Sequence, residues 1–288
     1  MLIPAKNLKG YTLLSRDGEI GSVREFYFDD QHWTIRYLVA DTAGWLTGRQ
    51  VLLSPYALGT VEPEGKDIVV DLTRKQIEDS PSLDTDKPVS RQFEQSYAGY
   101  YGMPMYWGGM YSWGAYSYPV RDRTKWNSHA PGKEAGDAHL RSTRDVTGRH
   151  IQASDGEIGH VEDFIIDSES WAIRYLIVST LNWWPGKKVL ISPRWIDRVD
   201  WSESKVFVGL SRAAIQKSPA YNESALLNRD YESHLHLHYN RPGYWNSENS
   251  LVSSPAMAER EVVGLHRGQT ARDSAPAAGE GDIRSSVT

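Results

Sequence analysis

The string His234-Leu235-His236-Leu237-His238 sets an imidazole at every second position. On an extended strand alternate side chains share a face, so the three rings would converge at a spacing of roughly 7 Å. Imidazole nitrogens bind zinc or nickel readily, and Glu232 is the nearest carboxylate for a fourth ligand. The competing readings are a solvated face with incidental histidines, and a cluster that responds to pH. Arg36 and Arg174 are unusual in another way, because each stands inside an apolar run. A partly buried guanidinium needs a carboxylate: Asp29 or Glu19 for Arg36, and Asp167 or Glu157 for Arg174. The ion pairs Arg36–Asp29 and Arg174–Asp167 are expected to be structural, with a substrate clamp as the alternative. Asp17/Glu19 and Asp155/Glu157 could imitate a general acid and base. The glycine after each aspartate makes a turn the better account.

The remaining candidates are aromatic. Trp45, Trp183 and Trp184 sit in loops ahead of a strand, where burial is not automatic. They could anchor a partner, since aromatic anchors dominate interfaces, or pack one part of the chain on another. Tyr106 and Trp107 belong to a stretch from 97 to 119 dense in Gly, Tyr, Trp and Met. Stacking on nucleic acid would require interleaved Arg and Lys, and between Tyr97 and Tyr118 there are none. No nucleic-acid partner is therefore expected; the aromatics are expected to cover one end of the fold or to contact a protein.

The elements that must position these residues come twice. Gly10 pairs with Gly148, Trp33 with Trp171, Pro81 with Pro219 and Trp107 with Trp245, all at one constant offset. Roughly a third of the paired positions are identical, and the period is one whole small domain. The chain is a tandem duplication. In each copy the apolar pattern has period two, so strands dominate. In the first copy strands are expected over 11–14, 19–29, 33–40, 49–53 and 67–72. The alternation slips at Arg24-Glu25 and at Glu162-Asp163, which predicts a bulge in the long strand of each copy. Short helices are expected over 73–79 and 211–217, with Thr73 and Ser211 as N-caps and Pro81 and Pro219 beyond the ends. Five or so short strands and one helix per copy imply a mainly β chain of two small barrels. The expected division is 1–120 for the first barrel and its aromatic lobe, 121–140 for a linker, 141–245 for the second barrel and 246–288 for a disordered tail. Where the second copy has its three histidines, the first has Ser96, Ala98 and Tyr100, so the fold does not need them.

Composition narrows the function classes. The 288 residues are 40% hydrophobic and 24% charged, as in ordinary globular protein. There is no cysteine, which excludes disulfides, thiolate metal sites and a Cys nucleophile. A net charge of -5 gives no general attraction to nucleic acid or anionic lipid. No apolar run reaches the ~18 residues of a membrane span, and Met1 to Gly10 lacks a signal-peptide core, so a cytoplasmic protein is expected. There is no Walker A loop, dinucleotide glycine fingerprint or Gly-x-Ser-x-Gly elbow.

One set of residues resembles a known family. Asp17-Gly18-Glu19-Ile20-Gly21 leads to Val23, Phe26 and Asp29, then to Trp33-Thr34-Ile35-Arg36-Tyr37-Leu38-Val39, Gly48-Arg49-Gln50-Val51-Leu52-Leu53 and Ser54-Pro55. The second copy repeats the string from Asp155 to Pro193. This is similar to the PRC-barrel family, nearest to the branch of the photosynthetic reaction-centre H subunit. The H subunit's membrane helix and the N-terminal domain of the relative RimM have no counterpart here. The resemblance implies a non-catalytic barrel used as a docking platform on a protein complex, with a membrane-associated electron-transfer assembly, met from the cytoplasmic side, as its finer form. The reading from a different class is a metal or small-ligand sensor built on the histidine strand and the aromatic lobe.

Overall fold

The computed structural model describes residues 1–42, 46, 51–81, 89–107, 109–126, 139–180, 187–225 and 227–246. The first copy runs β1 (Leu2–Pro4), α1 (Ala5–Leu8), β2 (Thr12–Ser15), β3 (Gly18–Asp29), β4 (Thr34–Asp41), β5 (Val51–Leu53), β6 (Leu58–Glu62), β7 (Asp67–Val70), α2 (Arg74–Glu78) and α3 (Arg91–Tyr101). The second repeats it as β8 (Leu140–Ser142), α4 (Thr143–Val146), β9 (His150–Ala153), β10 (Gly156–Asp167), β11 (Ile173–Ser179), β12 (Lys188–Ile191), β13 (Ile196–Asp200), β14 (Lys205–Val208), α5 (Arg212–Lys217) and α6 (Arg229–His238). The described chain is mostly β, with two sheets of seven strands. The first has the order β5-β4-β3-β2-β7-β6 and the second β12-β11-β10-β9-β14-β13. Residues 240–246 belong to a separate unit, in which the Tyr244 and Trp245 rings meet edge to face at 5.1 Å.

Local chemistry explains most of these elements. The Thr73 hydroxyl accepts from the Gln76 N–H while the Gln76 side chain accepts from the Thr73 N–H, a capping box that starts α2. Ser211 caps α5 in the same way, without the reciprocal bond. The slips in alternation appear as register shifts between Val23 and Glu25 and between Val161 and Asp163. Just ahead of each shift, β3 and β10 pass so close to the next strand that only glycine fits. A Cβ on Gly21 (φ +121°) would lie 1.9 Å from the Asp41 carbonyl oxygen, and one on Gly159 (φ +146°) 1.9 Å from that of Ser179. β4 is buried on both faces through Ala40. Arg36 lies beneath the lobe rings of Tyr106 and Trp113, while Tyr37 meets Glu94 and Tyr97 of α3.

Each sheet takes its seventh strand from the other copy. β1 lies antiparallel on β10, Leu2 opposite Asp167 and Pro4 opposite Ile165. β8 lies on β3, Leu140 opposite Asp29 and Ser142 opposite Tyr27, which is the same register. On β3 the bulge separates the stretch paired with β2 (Gly18–Ser22) from the stretch paired with β8. The exchange continues past the strands. The Ser168 N–H donates to the Met1 carbonyl (2.9 Å) and the Asp30 N–H to that of His139 (3.0 Å). The Ile35 N–H donates to the Trp171 carbonyl (2.8 Å) and the Ile173 N–H to that of Trp33 (2.7 Å). Trp33 and Trp171 adopt positive φ (50° and 58°), which is strained for a tryptophan. Phe26 contacts Trp171, and Phe28 packs on Phe164, so the two cores touch through aromatic rings. The exchanged strands and α1, α4 and α6 are elements that the alternation pattern does not predict.

Candidate functional site

Arg36, on β4, is the most enclosed cation among the described residues of the first copy, at 1% exposed. Its Nη2 donates to Asp29 Oδ2 (3.0 Å) and its Nη1 to the Ser112 carbonyl (2.5 Å). The guanidinium carbon stands 3.7 Å from the centre of the Tyr106 ring and 4.8 Å from that of Trp113, an enclosing cation–π arrangement. Burial works to raise the Asp29 pKa, but the hydrogen bond from His32 and the charge and hydrogen bond of Arg36 outweigh it. They hold the carboxyl well below the usual range. Arg174 repeats the arrangement: Nη2 reaches Asp167 Oδ2 at 2.8 Å and the Ser170 hydroxyl at 3.1 Å. The Asp167 pKa is likewise lowered, Arg174 outweighing burial.

Against the tyrosine that follows each arginine lies a buried carboxylate that sequence reasoning missed in one copy and misassigned in the other. Glu94 of α3 is fully enclosed. Its Oε1 accepts from Tyr106 (2.8 Å) and Tyr37 (3.2 Å), and its Oε2 from Arg91 (2.8 Å). Burial nevertheless raises its pKa against those three donors. Glu232 of α6 accepts from Tyr175 at 2.9 Å and pairs with Arg229 at 3.0 Å. The sequence signal was present, since Arg91-x-x-Glu94 recurs as Arg229-x-x-Glu232 opposite Tyr37 and Tyr175. Arg36, Tyr37, Glu94, Tyr106 and Trp107 line a cavity of about 20 Å³, room for roughly one water.

The histidine string is not a strand. It forms the last turns of α6, where a step of two residues turns a side chain to nearly the opposite face. His236 is buried, its Nε2 3.0 Å from the Tyr175 hydroxyl and its ring against Trp195. His238 meets the Ala214 carbonyl at 2.8 Å, and His234 is exposed. The three rings serve different surroundings, and among the described residues no group of three His, Cys, Asp or Glu could hold a metal. Period-two reading failed because Leu235 and Leu237 look alike in sequence, whereas Leu235 is buried and Leu237 is 77% exposed. The acidic pairs also separate. Asp17 accepts from the Arg74 N–H, and Asp155 from the Arg212 N–H, both as turn contacts near a helix start.

Trp45, Trp183 and Trp184 lie outside the described residues, as does the chain from 247 onward. Tyr106 and Trp107 are half-buried, Tyr106 facing both Arg36 and Arg91, and Arg91 standing 4.3 Å over the Trp107 ring. Trp113 donates to the Ser170 carbonyl of the other copy at 2.9 Å, so the lobe bridges the duplication.

The copies differ at one pair of strand positions on the outer surface. In the first, Leu14 and Val69 are directly paired across β2 and β7 and stand 36% and 42% exposed. The second has Gln152 and Phe207 at these positions, with Arg198 laid over the Phe207 ring at 3.5 Å. Among the described residues no helix is long and apolar enough to cross a membrane.

The family model for the PRC-barrel domain matches residues 2–77 and 140–208. No curated protein matches the chain.

Proposed function

The chain belongs to the PRC-barrel domain family, and we propose that it acts as a non-catalytic interaction module whose first barrel docks on a protein partner. The carrying observation is the contrast between the copies. The buried ionic groups recur with internal partners in both, as groups that hold a fold do, while the exposed Leu14–Val69 pair belongs to one copy alone. An apolar pair set in a polar sheet face is the kind of feature a partner covers. Docking at a membrane-associated electron-transfer or photosynthetic assembly, from the cytoplasmic side, is the finer form of this reading. It rests on the resemblance to the reaction-centre H-subunit branch.

The test is capture of the tagged chain from membrane and soluble fractions of its host, beside the double variant Leu14→Ser, Val69→Thr. The reading expects one complex, recovered by the wild type and lost with the variant at unchanged thermal stability. Equal recovery by both proteins removes the docking face from consideration, and recovery of the bait alone removes the stable adaptor.

A further inference from the structure

We propose that the surface joining the two copies is a dimer interface carried inside one chain, so that each half takes as its partner another copy of the same domain. Neither sheet is finished by its own half: β10 lacks β1, and β3 lacks β8, until the halves meet. The contacts are reciprocal position by position. Leu2 opposite Asp167 answers Leu140 opposite Asp29; the Ser168-to-Met1 bond answers the Asp30-to-His139 bond; the Ile35-to-Trp171 bond answers the Ile173-to-Trp33 bond. All are main-chain hydrogen bonds, which carry no preference for either sequence, so a half facing its own twin meets the same pattern. A twofold, self-complementary patch with an exchanged element is how identical subunits associate.

The side chains add a preference. Arg141 of β8 reaches Asp30 at 3.0 Å, and His139 lies 3.4 Å from the same carboxylate. The position matching Asp30 in the second copy is Ser168, and that matching Arg141 in the first is Ile3. A pair of second halves would therefore leave Arg141 without its carboxylate, and a pair of first halves would leave Asp30 without its cation. Lys6 adds to the preference: its Nζ meets Glu223 at 2.6 Å and Glu162 at 3.9 Å across the seam. The position matching Glu162 in the first copy is Arg24, so a pair of first halves would set cation against cation. Glu25 accepts from the Ser142 hydroxyl (2.6 Å), and Asp163 accepts from the Lys6 N–H (3.1 Å). Like halves thus associate when alone, and unlike halves displace them when mixed.

The experiment starts from the full chain with a protease site placed within 127–138, folded and then cut. The halves are expected to migrate together at the size of the intact chain, with a melting temperature that becomes dependent on protein concentration after the cut. Separated in denaturant and refolded singly, the second half is expected at twice its mass, and addition of the first half converts it to a one-to-one pair. A cut chain that parts into two folded monomers overturns the proposal, as does a single half that refolds as a monomer. An independent reading on the intact chain is amide exchange. The Ile35 and Ile173 amides, which donate across the seam, should be protected as strongly as the other amides of β4 and β11. Exchange at those two amides as fast as in exposed turns also overturns it.

Discussion

A guanidinium as enclosed as that of Arg36 commits the residues around it. Arg36→Met leaves Asp29 in a mostly buried site with its main cation gone, and breaking a buried pair on one side costs about 3–5 kcal/mol. Arg174→Met should cost less, because the Arg174 side chain keeps 9% exposure where that of Arg36 keeps none. Urea denaturation of the two variants checks the order, and equal losses would mean that the Tyr106 and Trp113 rings add nothing. The same aspartates set the acid limb of stability. Their folded pKa values lie below the unfolded ones, so the stabilisation they give is complete above about pH 4 and is lost as pH falls toward the folded values. Asp29→Asn should be less stable at neutral pH and show a shallower decline in acid. Glu94 carries the opposite sign. Its pKa is raised, so ionisation penalises the folded state as pH climbs from the ordinary carboxylate value through the raised one. Glu94→Gln should remove that part of the pH dependence, read from melts between about pH 4 and 7. An unchanged slope would mean that Arg91 and the two phenols, rather than burial, govern the carboxyl.

The helices and strands divide by how locally their causes act. Thr73→Ala and Ser211→Ala should each cost about 1 kcal/mol, the former more because the reciprocal Gln76 bond goes with it. Thermal melts of the two single variants decide the order. Gly21→Ala meets a carbonyl oxygen as well as a disfavoured φ, and the loss should be on the order of 3 kcal/mol, again by denaturation. A Gly21→Ala protein of wild-type stability would show that β3 can move away from β4. The caps, the bulges and the alternating strands were legible in the sequence because their causes lie within a few residues. The need for glycine at position 21 was not, since it comes from the approach of Asp41 on the next strand. α3 and α6 were not, since what makes them helices facing the barrel is a set of distant contacts. Tyr97 donates to the Leu52 carbonyl and Glu94 accepts from Tyr37. His236 likewise meets Tyr175, 61 residues away, and a period-two reading of His234 to His238 could not register that. The exchanged strands were missed for the same reason: at three residues each, they are strands only because another copy supplies the ladder.

Across residues 1–239 the two barrels share strands, rings and main-chain bonds, so neither is expected to melt ahead of the other. A single calorimetric transition should result, with equal van't Hoff and calorimetric enthalpies. Two resolved transitions would mean that the shared elements are too weak to couple the barrels. The family and the fold class follow from the repeat and its motifs, whereas the seam between the copies needed coordinates, because identical sequence patterns are equally compatible with two barrels that never touch.

The exchange of β1 and β8 also has a consequence for synthesis. A ribosome makes the first copy before the second, yet the first sheet waits for Leu140–Ser142 and the Leu2–Pro4 strand waits for β10. A nascent or prematurely terminated product ending before residue 140 therefore carries both an unpaired strand and the open edge that such a strand would fill. Those are the features by which two incomplete chains find one another and close each other's sheets. Termination between the copies should therefore leave a product that is finished only on meeting a second one, where a chain of two independent domains would leave one finished barrel.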